Sequence, residues 1–248
     1  APLWAALLPC PSATLTLLSV GVGSAVGYFQ LVRTRNDGPA GYMAGITDLA
    51  LCEMPGSSRV FSVSGSQGGL LCRNPDNAMA ITATQAHPAT EARGSAAGLE
   101  LVYIGGRAAL LRFGTGVGLQ ANWLGSTGEV GASFALPIAP LGTILALKAV
   151  AGNNGSTLIF NSTLQNPGIT VWLRSADGGV SFVQQLIPQG TQAGYDTVDL
   201  QVVSRVEGRY LLALSAQGNS LSVFAIGANN QTPLVDLIGA DDGLWVVG

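Results

Sequence analysis

Carboxylates recur at matching places along this chain, and they are the first candidates for chemistry. Asp48, Glu100 and Asp199 each lie near the start of an apolar run, and Asp242 comes shortly before another. Carboxylate oxygens are the ligands that calcium takes in proteins, so a ring of these four residues, together with Asp196 and Asp241, would bind a cation. The alternative is that each Asp caps a turn by accepting a hydrogen bond from a nearby backbone N–H. Both interpretations stay open, and so does the choice between calcium and no cofactor.

Other reactive side chains give weaker signals. His87 is the only histidine, so a Ser-His-Asp triad would have to use it, and no G-x-S-x-G sequence accompanies it. The cysteines are Cys10, Cys52 and Cys72, and they include no C-x-x-C metal motif. Cys52 and Cys72 fall on predicted strands two apart, about 9.6 Å from each other, which is beyond the reach of a disulfide. We therefore expect these two thiols to be free and buried, and a Cys10–Cys52 disulfide is the alternative. No catalytic residue is assigned.

Aromatic side chains are the candidates for ligand binding. Tyr195 and its neighbour Asp196 lie in a polar stretch between apolar runs, and Trp245 lies near the end of the sequence. Aromatic rings offer flat surfaces on which sugars or protein partners stack. Trp123 and Trp172 fall on predicted third strands, where packing between sheets is their ordinary role. The predicted binding residues are therefore Tyr195, Asp196 and Trp245.

A repeated unit of four short strands positions these residues. Its clearest copy has apolar runs at 199–205, 210–215, 220–226 and 233–238, separated by polar or glycine turns. Further copies begin near residues 48, 98 and 143, and the copy at 98 has its last predicted strand at 133–136. Four strands repeated at roughly 40–50 residues are the signature of a β-propeller blade. The sequence therefore predicts an all-β fold, a small β-propeller of four-stranded antiparallel blades whose first strands converge on a central channel.

The two ends of the sequence predict how the ring of blades closes. Residues 14–20 are similar to a fourth strand, and residues 243–248 are similar to a first strand. Pairing both within one blade would remove exposed strand edges and give about five blades. We accordingly predict a single propeller domain over 1–248, with residues 1–13 as an N-terminal extension and a last blade starting near 243. The alternative is a fragment of a longer propeller.

The composition limits the partners of the chain. Charged residues make up 10% of the sequence, against a usual share of about 25%, and the net charge is -3. Without a basic patch, nucleic acid is not an expected partner. No run of 18 apolar residues is present, so no membrane helix is predicted. A weakly charged surface favours membership of a larger assembly or oligomer that covers part of it.

One stretch resembles known propeller blades. The sequence YLLALSAQGNSLSVFAI at 210–226 is similar to blades of lactonase-type and YncE-type propellers. It also resembles propeller repeats of secreted alphaproteobacterial proteins that often precede calcium-binding RTX repeats, although the RTX nonapeptide is absent here. A likeness of this kind implies a fold and not a chemistry. The Glu and Asn set that a metal-dependent lactonase places around its ion cannot be assigned to positions of this sequence.

Without a recognisable catalytic set, the sequence predicts a non-catalytic recognition or assembly module. Its loops would present a surface to a glycan or a protein partner, outside the cell or on a phage-like particle. The alternative is a lactonase-like hydrolase that uses a cation in the central channel. A purely structural subunit, which would be oligomeric and need no ligand, is a third interpretation.

Overall fold

The protein is all-β, as predicted, and in the residues that the structure describes the regular elements are strands and a short 3-10 turn at Asn153–Gly155. The computed structural model describes residues 3–4, 14–21, 28–36, 46–54, 57–64, 69–74, 80–86, 98–114, 118–138, 142–165, 168–187, 197–216, 218–239 and 242. In chain order, the first sheet contains β1 (Leu3–Trp4), β2 (Thr14–Gly21) and β3 (Tyr28–Asn36). Four further sheets follow, and each has four antiparallel strands in sequential order.

These four sheets are the predicted blades, and we number them 1 to 4. Blade 1 consists of β4 (Ile46–Met54), β5 (Ser57–Ser64), β6 (Gly69–Asn74) and β7 (Ala80–Ala86). Blade 2 consists of β8 (Gly98–Ile104), β9 (Arg107–Gly114), β10 (Gly118–Leu124) and β11 (Val130–Phe134). Blade 3 consists of β12 (Ile144–Ala151), β13 (Thr157–Thr163), β14 (Ile169–Arg174) and β15 (Val180–Leu186). Blade 4 consists of β16 (Thr197–Arg205), β17 (Gly208–Ser215), β18 (Ser220–Ile226) and β19 (Leu234–Ile238).

Tight turns join neighbouring strands where the sequence predicts them. Gly105 and Gly106 both have positive φ between β8 and β9, which is the backbone conformation of the favoured two-residue hairpin. Asn219, between β17 and β18, also has positive φ. These local signals place the strand boundaries of blade 4 within two residues of their predicted positions.

Two sequence predictions need correction. Residues 14–20 were expected to form an outer fourth strand, but β2 pairs with β1 on one side and β3 on the other, so it is the middle strand of three. The last strand of blade 2 was expected at 133–136 and begins at Val130 instead. Its hairpin is tighter than expected because the Gly125 N–H donates to the Glu129 carbonyl oxygen at 2.9 Å.

The chain divides into two compact units. The first contains Ala1–Leu99 and Gly125–Val130, and the second contains Glu100–Leu124 and Gly131–Gly248. Buried side chains on β4, β5 and β6 form the apolar interior of blade 1 in the first unit, including Phe61, Leu70 and Leu71. The second unit has one buried cluster shared by blades 2 and 3 and another shared by blades 3 and 4. Apolar packing of one blade on the next is therefore what holds the second unit together.

Five blades, closure of a ring by the terminal strands and a single domain over the whole chain stay predictions. Among the described residues, no helix is long and apolar enough to cross a membrane.

Candidate functional site

A β-bulge recurs at the start of the first strand in three blades. The pairing of first and second strands slips by one residue between the members of three pairs: Ile46/Asp48, Ile144/Ala146 and Thr197/Asp199. A bulge of this kind bends the strand and re-aims the side chain that follows it. Asp48, Ala146 and Asp199 therefore occupy equivalent positions, each followed by leucine, and Glu100 is the corresponding residue of blade 2 by sequence.

Asp48 joins the first strands of two blades. Its Oδ1 atom accepts a hydrogen bond from the backbone N–H of Leu49 at 2.7 Å, which is the turn-capping bond expected of an Asp. Its Oδ2 atom accepts a second bond, also at 2.7 Å, from the backbone N–H of Leu99 on β8. Both carboxylate oxygens are thus used by backbone groups of the first unit.

Glu100 has a similar role one blade further along. Its Oε1 atom accepts the backbone N–H of Ala149 on β12 at 3.1 Å, and its Oε2 atom lies 3.1 Å from the Nζ atom of Lys148. The Glu100 side chain is 10% exposed and that of Lys148 is 25% exposed. A buried carboxylate needs both a counter-ion and hydrogen bonds, and Glu100 has both. Lys148 is the only lysine of the chain and partly reaches solvent.

Asp199 repeats only half of the arrangement at Asp48. Its Oδ1 atom accepts the backbone N–H of Leu200 at 2.8 Å and lies 3.3 Å from the side-chain nitrogen of Gln201. Its side chain is exposed, and its Oδ2 atom has no hydrogen-bond partner within the described part of the chain. Asp199 therefore has a carboxylate oxygen available for a further bond.

Asp242 caps a turn. Its Oδ2 atom accepts the backbone N–H of Gly239 at 2.9 Å, just after β19, and its side chain is exposed. Over the described ranges, no group of three or more His, Cys, Asp or Glu side chains is arranged to hold a metal ion. The cation site predicted at Asp48, Glu100, Asp199 and Asp242 stays a prediction.

The predicted binding residues Tyr195, Asp196 and Trp245 lie outside the described residues, as do His87 and Cys10. Their proposed roles therefore stay predictions.

The aromatic residues of blades 2 and 3 pack where the sequence predicts. The Trp123 ring stacks on Phe134 with centroids 4.2 Å apart, and the Arg107 guanidinium carbon lies 4.4 Å from the Trp123 centroid. Trp172 meets Phe182 edge-to-face at 5.9 Å. Both tryptophans pack against the buried cluster shared by blades 2 and 3. Their main role is packing between blades, as expected for third-strand residues.

Cys72 is a buried thiol with specific hydrogen bonds. Cys52 and Cys72 are both buried and free, which confirms the sequence prediction. The Thr82 hydroxyl lies 3.1 Å from the Cys72 Sγ atom, which itself lies 3.7 Å from the Gly128 carbonyl oxygen. Burial raises the pKa of the Cys72 thiol, although the Thr82 hydrogen bond and the Arg59 charge both act to lower it. A thiol in this state is a poor nucleophile at neutral pH.

Sequence reasoning missed the Lys148 partner of Glu100. The available signal was the run ILALKAVA on a first strand, where a single lysine interrupts apolar residues. A charge at such a place requires a buried partner of opposite sign. The identity of that partner depends on which strand lies beside β12, and the local sequence does not contain this information.

Two solved structures resemble this fold over nearly its whole length. The first is a crystal structure of a protein from Lactobacillus plantarum, with 12% identity, coverage of 92% of this chain and 68% of that chain, and a TM-score of 0.56. The second is the periplasmic gluconolactonase PpgL of Pseudomonas aeruginosa, with 16% identity, coverage of 96% and 67%, and a TM-score of 0.60. No protein-family model and no curated protein matches the chain. At these identities the likeness shows the fold alone, in agreement with lactonase-type blades.

Proposed function

We propose that this chain is a lactonase-like hydrolase that opens the ring ester of a small sugar lactone. The observation that carries the proposal is the likeness to a periplasmic gluconolactonase over 96% of the chain at a TM-score of 0.60. Because a fold hosts many activities, the proposal also needs residues able to perform the chemistry.

The Lys148–Glu100 pair is the group of described residues that suits this chemistry best. In lactone hydrolysis, water adds to the ester carbonyl carbon, negative charge develops on the carbonyl oxygen, and the ring C–O bond then breaks to give a hydroxy acid. A fixed cationic donor at the carbonyl oxygen stabilises that charge. The Lys148 ammonium group is partly exposed, and Glu100, 3.1 Å away, holds it in place. We propose that Lys148 donates to the developing oxyanion and that Glu100 positions it.

A bound divalent cation would supply the same positive charge by another route. The first-strand carboxylates Asp48, Glu100, Asp199 and Asp242 are its predicted ligands, with calcium as the expected ion. An enzyme of this type loses its activity when a chelator removes the ion, whereas one that depends on Lys148 keeps it.

The test is the rate of glucono-lactone opening by the purified chain, followed as acid release at constant pH. We expect acceleration over the spontaneous rate and a loss of about 100-fold in kcat/KM for Lys148→Met, the scale seen when one oxyanion donor is removed. Lys148→Arg should keep part of the activity. The matched control is Arg205→Met, which removes an exposed cation from the first strand of blade 4. Circular dichroism of each variant shows whether it is folded.

Three outcomes decide between the candidates. If the chain does not accelerate lactone opening, the hydrolase proposal is wrong. If Lys148→Met and Arg205→Met lose activity equally, Lys148 has no specific role. If a chelator abolishes the activity while Lys148→Met keeps it, the cation mechanism replaces the lysine mechanism.

A second candidate function is a non-catalytic recognition or assembly module. Large apolar side chains on the fourth strands of three blades favour it, because Ile81 on β7, Phe182 on β15 and Val235 on β19 are exposed. Exposed apolar residues along outer strands suit a protein partner or a larger assembly. Light scattering at micromolar concentration tests this candidate, which predicts an oligomer that Phe182→Ser weakens. Glycan binding, an extracellular or particle-associated location and a relation to RTX-associated proteins remain parts of this second proposal.

The proposal also includes a fifth blade to which residues near both ends of the sequence contribute. Residues 243–248, with the sequence GLWVVG, would supply its first strand.

A further inference from the structure

Asp48 and Asp199 occupy equivalent positions in a local structure that recurs in blades 1 and 4. Each follows a β-bulge at the start of a first strand. In each, the Oδ1 atom accepts the N–H of the following leucine, at 2.7 Å for Asp48 and 2.8 Å for Asp199. This shared bond orients the carboxylate and leaves its Oδ2 atom as the second acceptor.

In blade 1 the second acceptor binds the first strand of the next blade. The Oδ2 atom of Asp48 accepts the Leu99 N–H from β8 at 2.7 Å. The same kind of bond recurs from blade 2 to blade 3, where Glu100 accepts the Ala149 N–H from β12 at 3.1 Å. Ala149 lies four residues beyond Leu145, the position of β12 that is equivalent to Leu99, so the two bonds differ in register along the receiving strand. In both cases, a carboxylate on the first strand of one blade accepts a hydrogen bond from a backbone N–H on the first strand of the next blade.

The third carboxylate of this series belongs to Asp199. Its Oδ2 atom, equivalent to the Asp48 atom that accepts the Leu99 N–H, has no hydrogen-bond partner among the described residues. Blade 4 is the last described blade, and the side chain of Asp199 is exposed. We infer that Asp199 is a docking site for a further β-strand, whose backbone N–H it accepts on Oδ2. The site selects an extended backbone rather than a particular side chain, because the bond is made to the main chain.

The spacing of the repeat identifies the occupant to which we commit. The first strands begin at Ile46, Gly98, Ile144 and Thr197, at intervals between 46 and 53 residues. The shortest of these intervals places the next first strand at residue 243, where the sequence has the apolar run GLWVVG. Blade 3 has Ala146 at the equivalent position and therefore no such carboxylate, so the bond from Asp199 would be the third of its kind and would join blade 4 to the proposed fifth blade. This inference rests on that blade and is independent of hydrolase activity.

Hydrogen exchange of the full chain, read by mass spectrometry, tests the assignment. We expect backbone amides within 243–248 to be protected in the wild type. In Asp199→Ala they should exchange about tenfold faster, since a hydrogen bond to a charged group is lost. Asp199→Asn keeps a neutral acceptor and should retain part of the protection. The matched control is Asp236→Ala, because Asp236 also accepts the N–H of the following residue, at 2.9 Å, but lies on the outer strand β19.

Each outcome supports or overturns the assignment. Protection of 243–248 that falls in Asp199→Ala and not in Asp236→Ala supports it. Absence of protection in the wild type, or equal protection in both variants, overturns it. Protection that depends on protein concentration assigns the site to a second copy of the chain and overturns the intrachain occupant. If Asp199→Ala loses protection throughout the chain, the assignment is decided by Asp199→Asn instead. The protection of residues 243–248 in that variant is then compared with their protection in the wild type. Loss of lactone hydrolysis without these changes concerns only the proposed function.

Discussion

The Oδ2 atom of Asp48 lies 2.7 Å from the backbone nitrogen of Leu99, although 51 residues separate the two in the chain. This single bond joins the first strands of blades 1 and 2 within the first unit. The two strands share no hairpin, so this bond links backbone segments that are distant in sequence. Both oxygens of this carboxylate, which is also a predicted metal ligand, accept hydrogen bonds from backbone N–H groups.

Removal of the Asp48 side chain should destabilise the fold. Asp48→Ala leaves the Leu49 and Leu99 N–H groups without this acceptor, and an unsatisfied buried donor costs about 1–3 kcal/mol. We therefore expect the free energy of unfolding in urea to fall by about 2 kcal/mol. Asp236→Ala is the control, because its exposed carboxylate makes the same local bond and should change stability by only about 0.5 kcal/mol. Equal effects of the two variants would mean that the Asp48–Leu99 bond contributes nothing.

The Lys148–Glu100 pair should show energetic coupling. Lys148→Met leaves the Glu100 carboxylate buried without its counter-ion, whereas Glu100→Gln keeps an acceptor for the Ala149 N–H. Breaking a buried pair from one side is more costly than replacing both members. Since Lys148 is partly exposed, we expect a coupling energy of about 1–2 kcal/mol in a double-mutant cycle. Additive effects of the two substitutions would show that the pair is screened by solvent.

The blades themselves are predictable because their signals are local. Each strand of blade 4 is a short apolar run bounded by glycine, asparagine or paired polar residues, and hairpin geometry follows from those turns. The absence of a Cys52–Cys72 disulfide is likewise predictable, because strand spacing alone separates the two residues.

The partners of the first-strand carboxylates are not predictable in the same way. Glu100 and Ala149 lie 49 residues apart, and the bond between them depends on which strands become neighbours in space. The middle position of β2 has the same origin, since a strand with apolar alternation pairs on one side or both depending on what is beside it. The sequence therefore identifies residues of interest without identifying their partners.

Gly168 should be far less tolerant of substitution than Gly105. Both have positive φ, of 86° and 56°, so alanine at either position is strained by about 1 kcal/mol. A Cβ atom at Gly168 would also collide with the carbonyl oxygen of Leu186, whereas nothing lies within 4 Å of one at Gly105. We expect Gly168→Ala to lower the midpoint of urea unfolding clearly more than Gly105→Ala does. Similar midpoints would show that β15 shifts away from Gly168 at little cost.

The stability of the fold should depend on the protonation of Cys72 at alkaline pH. Burial raises the pKa of this thiol, so the folded protein holds its proton more tightly than the unfolded chain does. The resulting contribution to stability is fully present below the ordinary thiol pKa of about 8.5 and is lost as pH rises through the raised value. Cys72→Ala removes the titrating group, so the difference in unfolding free energy between wild type and variant should be constant below the ordinary thiol pKa of about 8.5 and shrink as pH rises above it. Urea titrations of both proteins across this range measure it, and a constant difference would show that the Cys72 thiol ionises as readily in the folded protein as in the unfolded chain.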